Sequence, residues 1–126
     1  MATGKLHAKL TFGLPSSNTV SQAFDVRLDY AIVSSGTIDV ATGATSSFDL
    51  PFGGTSAAQG VVVKNLTNKP IELAFNGGMK AYAVASGGMF MHWAPDAAGT
   101  DDLTALEVTP TAPTEDGTVE FVVLGA

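Results

Sequence analysis

The stretch Phe24–Ile32, with the sequence FDVRLDYAI, alternates apolar and polar residues almost without a break. A period of two places the apolar residues on one face of a β-strand and the polar residues on the other. The same alternation runs through Lys5–Leu14, and Pro15–Asn18 between the two segments has the composition of a turn. The beginning of the chain therefore predicts two half-buried strands.

Shorter segments with strand character follow at close spacing to the end of the chain. Turn formers separate them, and strands at intervals of about 8–12 residues are typical of an antiparallel sandwich or barrel. No window sustains a helical period. We predict an all-β fold of about 8–10 strands in a single domain, residues 1–126, with residues 1–14 as an extended arm or an edge strand. The shorter predicted strands are Gly36–Thr42, Thr45–Phe52, Gly60–Leu66, Ile71–Phe75, Met79–Ala85, Met89–Trp93, Leu103–Thr109 and Thr118–Leu124.

The composition indicates more apolar surface than a small monomer usually buries. The chain has 126 residues, of which 45% are hydrophobic and only 14% are charged. Such a sequence is too apolar for a disordered chain, and it holds no apolar run of the length that spans a bilayer. Because monomeric soluble proteins rarely tolerate large apolar patches, we predict burial of part of the surface in a symmetric assembly.

The distribution of charge argues against nucleic acid and membranes as partners. The net charge is −6, and from Asp96 onward the chain has seven acidic residues and no base. A phosphate backbone or an anionic lipid surface would be repelled. The chain also has no cysteine, so its stability must come from a core or from partner subunits. No secretion signal is recognisable, and we expect synthesis in the cytoplasm.

The sequence offers no set of residues for acid–base or nucleophilic catalysis. The two histidines are His7 and His92, and neither has an orienting partner or a nucleophile nearby in a known motif. Ser86 stands in ASGG, which lacks the first glycine of the G-x-S-x-G elbow. We therefore predict that the chain is not an enzyme and has no catalytic or cofactor-binding residues.

One acidic segment could hold a metal ion. The loop Asp96–Asp102 carries three carboxylates with a glycine between them, a combination that suits calcium. Its spacing does not match an EF-hand loop, and no glutamate stands at the position of the bidentate ligand. A solvated acidic loop is the preferred interpretation, so no metal site is predicted, although calcium binding there stays an open alternative.

The segment Met89–Trp93, MFMHW, is apolar on both of its predicted faces. Alternation sends Met89, Met91 and Trp93 to one face and Phe90 and His92 to the other. Two interpretations remain open: a central strand buried on both sides, or a strand with one face at a subunit contact, where aromatic residues and methionine are enriched.

We therefore take Met89, Met91 and Trp93 as interface candidates. Lys5, His7 and Lys9, which share the polar face of the first strand, complete the candidate set.

The second half of the chain resembles small virion proteins of tailed bacteriophages. The similarity lies in Val61–Leu73 (VVVKNLTNKPIEL), the hairpin signal Asn76–Gly78, the pair Gly87–Gly88 and the closing strand Thr118–Gly125 (TVEFVVLG). Those proteins are β-sandwiches or jelly rolls that decorate or cement the capsid. The resemblance therefore implies a jelly-roll-like antiparallel β-sandwich, but no catalytic motif that could be carried over.

The resemblance also implies partners and a location. A homodimer or homotrimer would sit on the capsid surface of the virion, bridging neighbouring major capsid proteins, after synthesis in the host cytoplasm. Residues 1–14 would pair with a capsid strand by edge addition. The alternative is a carbohydrate-binding or receptor-binding module of a tail fibre or spike, with Trp93, Tyr30 and Tyr82 as stacking candidates.

Overall fold

The computed structural model describes residues 2–13, 19–94, 96 and 102–125, with side chains from residue 30 onward. The predicted turn Pro15–Asn18 lies outside the described residues. Every regular element in the described part is a strand, and no helix there is long and apolar enough to cross a membrane. The strands are β1 (Ala2–Gly13), β2 (Thr19–Tyr30), β3 (Ile32–Val40), β4 (Phe48–Asp49), β5 (Ala58–Leu66), β6 (Ile71–Phe75), β7 (Lys80–Val84), β8 (Met89–Trp93), β9 (Leu106–Pro110) and β10 (Gly117–Gly125).

Eight of these strands form two four-stranded antiparallel sheets. The first sheet has the order β3-β10-β5-β8, and the second has the order β4-β9-β6-β7. Every connection between consecutive strands from β3 to β10 crosses between the sheets, except the β6–β7 hairpin. This order is that of a jelly roll, a sandwich built from two Greek keys. The predicted all-β antiparallel sandwich is confirmed.

The jelly roll is one long antiparallel ribbon that has been rolled up. Its pairs nest from the outside inward as β3 with β10, β4 with β9, β5 with β8 and β6 with β7. The midpoint is the turn at Asn76 and Gly77, both with positive φ, of 54° and 72°. An Asn-Gly pair suits this turn because its backbone twist matches that of the flanking strands. The hairpin signal Asn76–Gly78 in the sequence thus marks this turn correctly.

The core lies between the two sheets and is made of alternate residues of each strand. Branched aliphatic side chains dominate it, since they pack well on a pleated surface. In β5 and β10 the inward residues are completely or almost completely buried, and they meet equally buried residues of β6 and β9. These residues are Val61, Val63, Val119, Phe121, Val123, Ile71, Leu73, Leu106 and Val108.

The observed β4 is much shorter than the predicted strand Thr45–Phe52. Only Phe48 and Asp49 pair with β9, because Pro51 lacks the N–H that a longer ladder requires. Alternation in this segment nevertheless predicts that Phe48, Leu50 and Phe52 face inward, and the structure agrees. Leu50 is buried, and the two phenylalanines pack against the core. Alternation therefore predicted the buried face of this segment correctly, although it overestimated the length of the strand.

Strand β10 ends at a glycine for a steric reason. A Cβ atom built on Gly125 would lie 2.0 Å from Cγ2 of Thr55. Any larger residue would push the end of β10 away from the loop that precedes β5. The closing Leu-Gly of the sequence is thus explained by close packing between these two segments.

The first two strands stand apart from the sandwich. Strands β1 and β2 form their own two-stranded antiparallel sheet, here called the N-terminal ribbon, and neither pairs with a strand of the two larger sheets. The predicted continuous strand Phe24–Ile32 is interrupted by a bend at Ala31, whose N–H donates to the carbonyl of Gly125 at 2.9 Å. Since β10 ends at Gly125, the hydrogen-bonded ladder between β3 and β10 ends there too.

The prediction of one domain over residues 1–126, with residues 1–14 as an extended arm or an edge strand, stays a prediction.

A buried asparagine joins the loops at one end of the roll. Asn65 has no exposed surface. Its Nδ2 donates to the carbonyls of Lys69 and Val84 at 2.8 and 3.0 Å, and its Oδ1 accepts from the N–H and hydroxyl of Thr67. One side chain therefore satisfies four polar groups and ties the β5–β6 loop to the end of β7.

We expect Asn65→Leu to lower the free energy of unfolding by about 3 kcal/mol, because it keeps the branched shape of the side chain but leaves buried polar groups unpaired. Urea denaturation is the measurement. Asn68→Leu is the matched control, since among the described residues the Asn68 side chain bonds only to Thr114, at the surface, and its cost should stay below about 1 kcal/mol. Equal losses for the two variants would contradict this role of Asn65.

A carboxylate joins two further loops on the exterior. Oδ1 of Asp116 accepts hydrogen bonds from the N–H and the hydroxyl of Thr42, both at 2.9 Å. These bonds favour the ionised form, the backbone bond most, and they hold the pKa of Asp116 below its usual value of 3.8. The β3–β4 and β9–β10 loops are therefore linked by a contact that depends on pH.

A carboxylate with a lowered pKa in the folded state stabilises the fold above its usual pKa, and this contribution disappears as the pH falls through the lowered value. Asp116→Asn should therefore melt at a lower temperature than the wild type at neutral pH. The difference should shrink once the pH drops below about 4. Thermal unfolding between pH 2 and pH 7 measures it, with Glu115→Gln as the control for loss of a neighbouring charge. A difference that persists at pH 2 would argue against the proposed linkage.

Candidate interaction surface on the first sheet

Strand β8 divides its residues between two faces as the alternation predicted. Met89 and Met91 leave 50% and 45% of their surface exposed, and Trp93 is half-buried. Phe90 packs against the core, and His92 is half-buried. Since β8 lies at the edge of the first sheet, the interpretation of a central strand buried on both faces is wrong.

The strand register extends the exposed face of β8 across the whole first sheet. Residues directly opposite each other on neighbouring strands share a face. Two neighbouring rows are therefore mostly apolar. Together with Met89, which begins the next row on the same face, they form what we call the outer face of the first sheet. One row is Met91, Val62, Val122 and Ser35, and the other is Trp93, Gly60, Leu124 and Val33.

This outer face contains apolar residues that the sequence reasoning did not single out. Val33 and Val122 are 50% and 38% exposed, and neither was among the interface candidates. The signal was present in the runs Val61–Val63 and Phe121–Leu124, because consecutive apolar residues in a strand must occupy both faces. A run of three valines is also compatible with burial on both faces of a sheet, yet Val62 is only partly buried.

A shallow depression lies in the same face. It is open to solvent and has a volume of about 390 Å³. Its floor includes the ring of Phe121, which lies beside Gly36, where a Cβ atom would come within 3.5 Å of the ring. Lys64 and Glu120 stand opposite each other in the register at its side. The lining consists of Gly36, Thr37, Val62, Lys64, Met89, Glu120, Phe121 and Val122.

The outer face of the second sheet has the opposite character. Glu72 and Lys80 form an ion pair at 2.8 Å there, and Asp49 lies opposite Glu107 in the register. Charged residues keep this surface hydrated. The two faces of the sandwich therefore differ, and the first sheet alone presents an apolar exterior.

The candidates Lys5, His7 and Lys9 lie on β1 of the N-terminal ribbon. The register places them opposite Arg27, Asp25 and Ala23, respectively. Their side chains lie outside the described part of the structure. The two halves of the candidate set thus belong to different sheets.

His92 lies in a second depression, at the edge between the two sheets. This depression has a volume of about 250 Å³ and is lined by Phe75, Asn76, Phe90, His92, Asp102 and Leu103. Within the described residues Nε2 of His92 is buried without a hydrogen-bond partner. No group of three or more His, Asp or Glu residues that could hold a metal ion occurs in that part of the chain. Most of the candidate calcium loop Asp96–Asp102 lies outside it.

The three aromatic residues proposed for sugar stacking do not form one platform in the described structure. Trp93 stands on the outer face of the first sheet. Tyr82 belongs to the second sheet, and its ring packs against Phe90 with centroids 5.8 Å apart. Phe90 in turn packs against Phe75 at 5.5 Å. These rings therefore close the edge of the sandwich.

No protein-family model matches the sequence. No curated protein matches it either.

Two neighbouring valines on β10 distinguish the outer face from the core. Val122→Thr should change the free energy of unfolding by less than about 0.5 kcal/mol, because the residue is exposed. Val123→Thr, one residue further, places an unpaired hydroxyl at a position with no exposed surface, and it should cost about 2 kcal/mol. Urea denaturation in dilute solution measures both. A large loss for Val122→Thr would mean that the outer face is required for folding itself.

Proposed function

We propose that this chain is a structural virion protein that decorates or cements a bacteriophage capsid by binding between major capsid proteins. The observation that supports this most is the apolar outer face of the first sheet. Contiguous exposed apolar surface on a small protein marks a site of protein contact. The resemblance of the second half of the chain to phage decoration proteins supports the choice of a capsid as the partner.

The composition of the outer face suits contact with another protein. Met89 and Met91 have flexible, polarizable side chains that adapt to irregular surfaces. Trp93 adds an aromatic residue, the type most often found at the energetic centre of an interface. Lys64 and Glu120 provide charges of both signs beside this apolar patch. Such a mixture favours a protein partner over a lipid or a nucleic acid.

The net charge supports a position on the outside of the shell. With a charge of −6, the protein would be repelled by packaged nucleic acid. A surface protein avoids that repulsion. After synthesis in the host cytoplasm it would bind the completed lattice, and a ligand that binds only the assembled lattice stabilises it by mass action.

The proposed mode of action requires only weak individual contacts. A shell presents the same site many times, so an oligomer with several copies of the outer face binds by avidity. The proposal needs no catalysis, cofactor or metal, and it includes a homodimer or homotrimer as the binding unit.

A carbohydrate-binding or receptor-binding module of a tail fibre or spike is the second candidate. The depression beside Phe90 and His92 favours it, because a cleft with aromatic walls and a polar atom without a described partner suits a small ligand. A glycan array separates the two functions. A cement protein should bind no sugar.

The test places a charge in the outer face. Val122→Lys should reduce binding to undecorated capsids of the phage that encodes the protein by at least about tenfold, since the ammonium group would be buried without a partner. Met79→Lys is the matched control, because Met79 is 89% exposed on the β6–β7 turn. Co-sedimentation with the capsids measures binding, and melting temperature verifies folding.

Two results would count against the proposal. Wild-type protein that does not sediment with capsids would remove the capsid as partner. Val122→Lys protein that binds as well as Met79→Lys would show that the outer face is not the binding surface.

A further inference from the structure

The N-terminal ribbon lacks the support that two paired strands need. An isolated two-stranded sheet is marginally stable in water and requires a third strand or packing against another element. Strands β1 and β2 have 12 residues each and pair only with each other in the described structure. Something outside the ribbon must therefore cover one of its faces.

The register shows which face that is. Cross-strand partners share a face, and successive pairs alternate between a mostly apolar face and a mostly polar face. On the apolar face Leu6 lies opposite Val26 and Ala8 opposite Phe24, and Gln22, opposite Leu10, is a polar exception. Each intervening pair contains at least one polar or charged residue: Thr3 with Asp29, Lys5 with Arg27, His7 with Asp25, Lys9 with Ala23 and Thr11 with Ser21. One face of the ribbon is thus apolar by sequence.

The ribbon cannot stack on the outer face of its own first sheet. Stacked sheets lie about 10 Å apart, and one residue spans at most about 3.6 Å. Ala31 is the sole residue between β2 and β3, and its N–H is bonded to Gly125 at the end of the same sheet. The chain has no length with which to change layers at this point.

We infer that the apolar face of the N-terminal ribbon packs on the outer face of the first sheet of a second copy of this chain. The second copy in turn contributes its own ribbon to such a contact, so that the assembly is closed and symmetric. The inference rests on the proposed function, in which the binding unit is an oligomer. A two-stranded ribbon covers about half the width of a four-stranded sheet, so the other half of the outer face remains open for the capsid. The occupant is a second copy because the same chain carries both halves of the contact.

The areas involved fit an exchange between copies better than a single contact. Strands β3, β5 and β10 have nine residues each, so the sheet is about 30 Å long, and a two-stranded ribbon is about 10 Å wide. One ribbon on one sheet covers about 300 Å² on each side, or about 600 Å² in all. Specific interfaces bury at least about 1,200 Å². Reciprocal exchange between two copies reaches that value.

The charges also favour contact between copies. The ribbon holds Lys5, Lys9 and Arg27 against Asp25 and Asp29, a net charge of +1. Since the whole chain carries −6, the remainder carries −7. The ribbon of one copy is thus attracted to the sandwich of another.

Cross-linking tests the contact directly, because the chain has no cysteine of its own. Val26→Cys places a thiol on the apolar face of the ribbon, and Val62→Cys places one on the outer face of the sheet. When these two proteins are mixed, a short bismaleimide should join them into a product of twice the chain mass of 12.8 kDa. Ala23→Cys is the control on the polar face of the same strand, and it should give no such product with Val62→Cys.

The mass of the unmodified chain in solution, measured by light scattering without capsids, gives the second readout. The wild type should be a dimer or a larger closed ring. Val26→Lys and Val122→Lys should each raise the dissociation constant at least about tenfold. Ala23→Lys and Met79→Lys should leave it unchanged. The melting temperature of each variant verifies that the sandwich remains folded.

Three outcomes would overturn the inference: a monomeric wild type, an oligomer that Val26→Lys does not weaken, or cross-links between two Val26→Cys chains but none to Val62→Cys. The capsid assay is independent of these results. A monomer that binds capsids through Val122 would remove the exchange and keep the proposed function. An exchanged oligomer that does not bind capsids would remove the proposed function and keep the exchange.

Discussion

The two-residue period of the β-strand is the constraint on which this structure depends. A strand with consecutive apolar residues must place some of them on each side of its sheet. In β5 and β10 the residues Val61, Val63 and Val123 are completely buried between the sheets. Their neighbours Val62 and Val122 face outward for the same geometric reason. The core and the exposed apolar face are therefore two consequences of the same two runs of apolar residues, one in β5 and one in β10.

Polar side chains hold the loops of the jelly roll in place. Asn65 ties the β5–β6 loop to the end of β7 through four hydrogen bonds. Asn76, at the central turn, accepts from the backbone N–H groups of Thr104 and Ala105. Both asparagines replace backbone partners that the loops cannot supply. Stability in this chain without cysteine thus comes from a branched aliphatic core closed by a few well-satisfied amide side chains.

The difference between the two outer faces connects the fold with the proposed role. The second sheet carries the ion pair of Glu72 with Lys80 and remains compatible with water. The first sheet presents Met89, Met91 and Val122 instead. A protein with this asymmetry is suited to lie with one side against a neighbour and the other in solvent. The proposed place on a capsid surface has that geometry.

Part of the candidate site was visible in the sequence. Alternation in MFMHW correctly separated Met89, Met91 and Trp93 from Phe90 and His92. It could not reveal that Val33, Val62 and Val122 belong to the same surface, because these residues are far apart in the chain and only the pairing of strands brings them together. Sequence reasoning also treated Phe24–Ile32 as one strand, since nothing local predicts that β10 ends opposite Ile32.

The amino-acid sequence by itself determined the all-β character, the approximate position of most strands, the central Asn-Gly turn and the inward face of the strands that alternate clearly. These features depend on local alternation and turn chemistry, which act within a few residues. Only the tertiary structure decided the order of strands in the sheets, the separation of the N-terminal ribbon and the location of the apolar outer face. Those depend on which distant strands pair, and pairing is decided by burial across the whole chain.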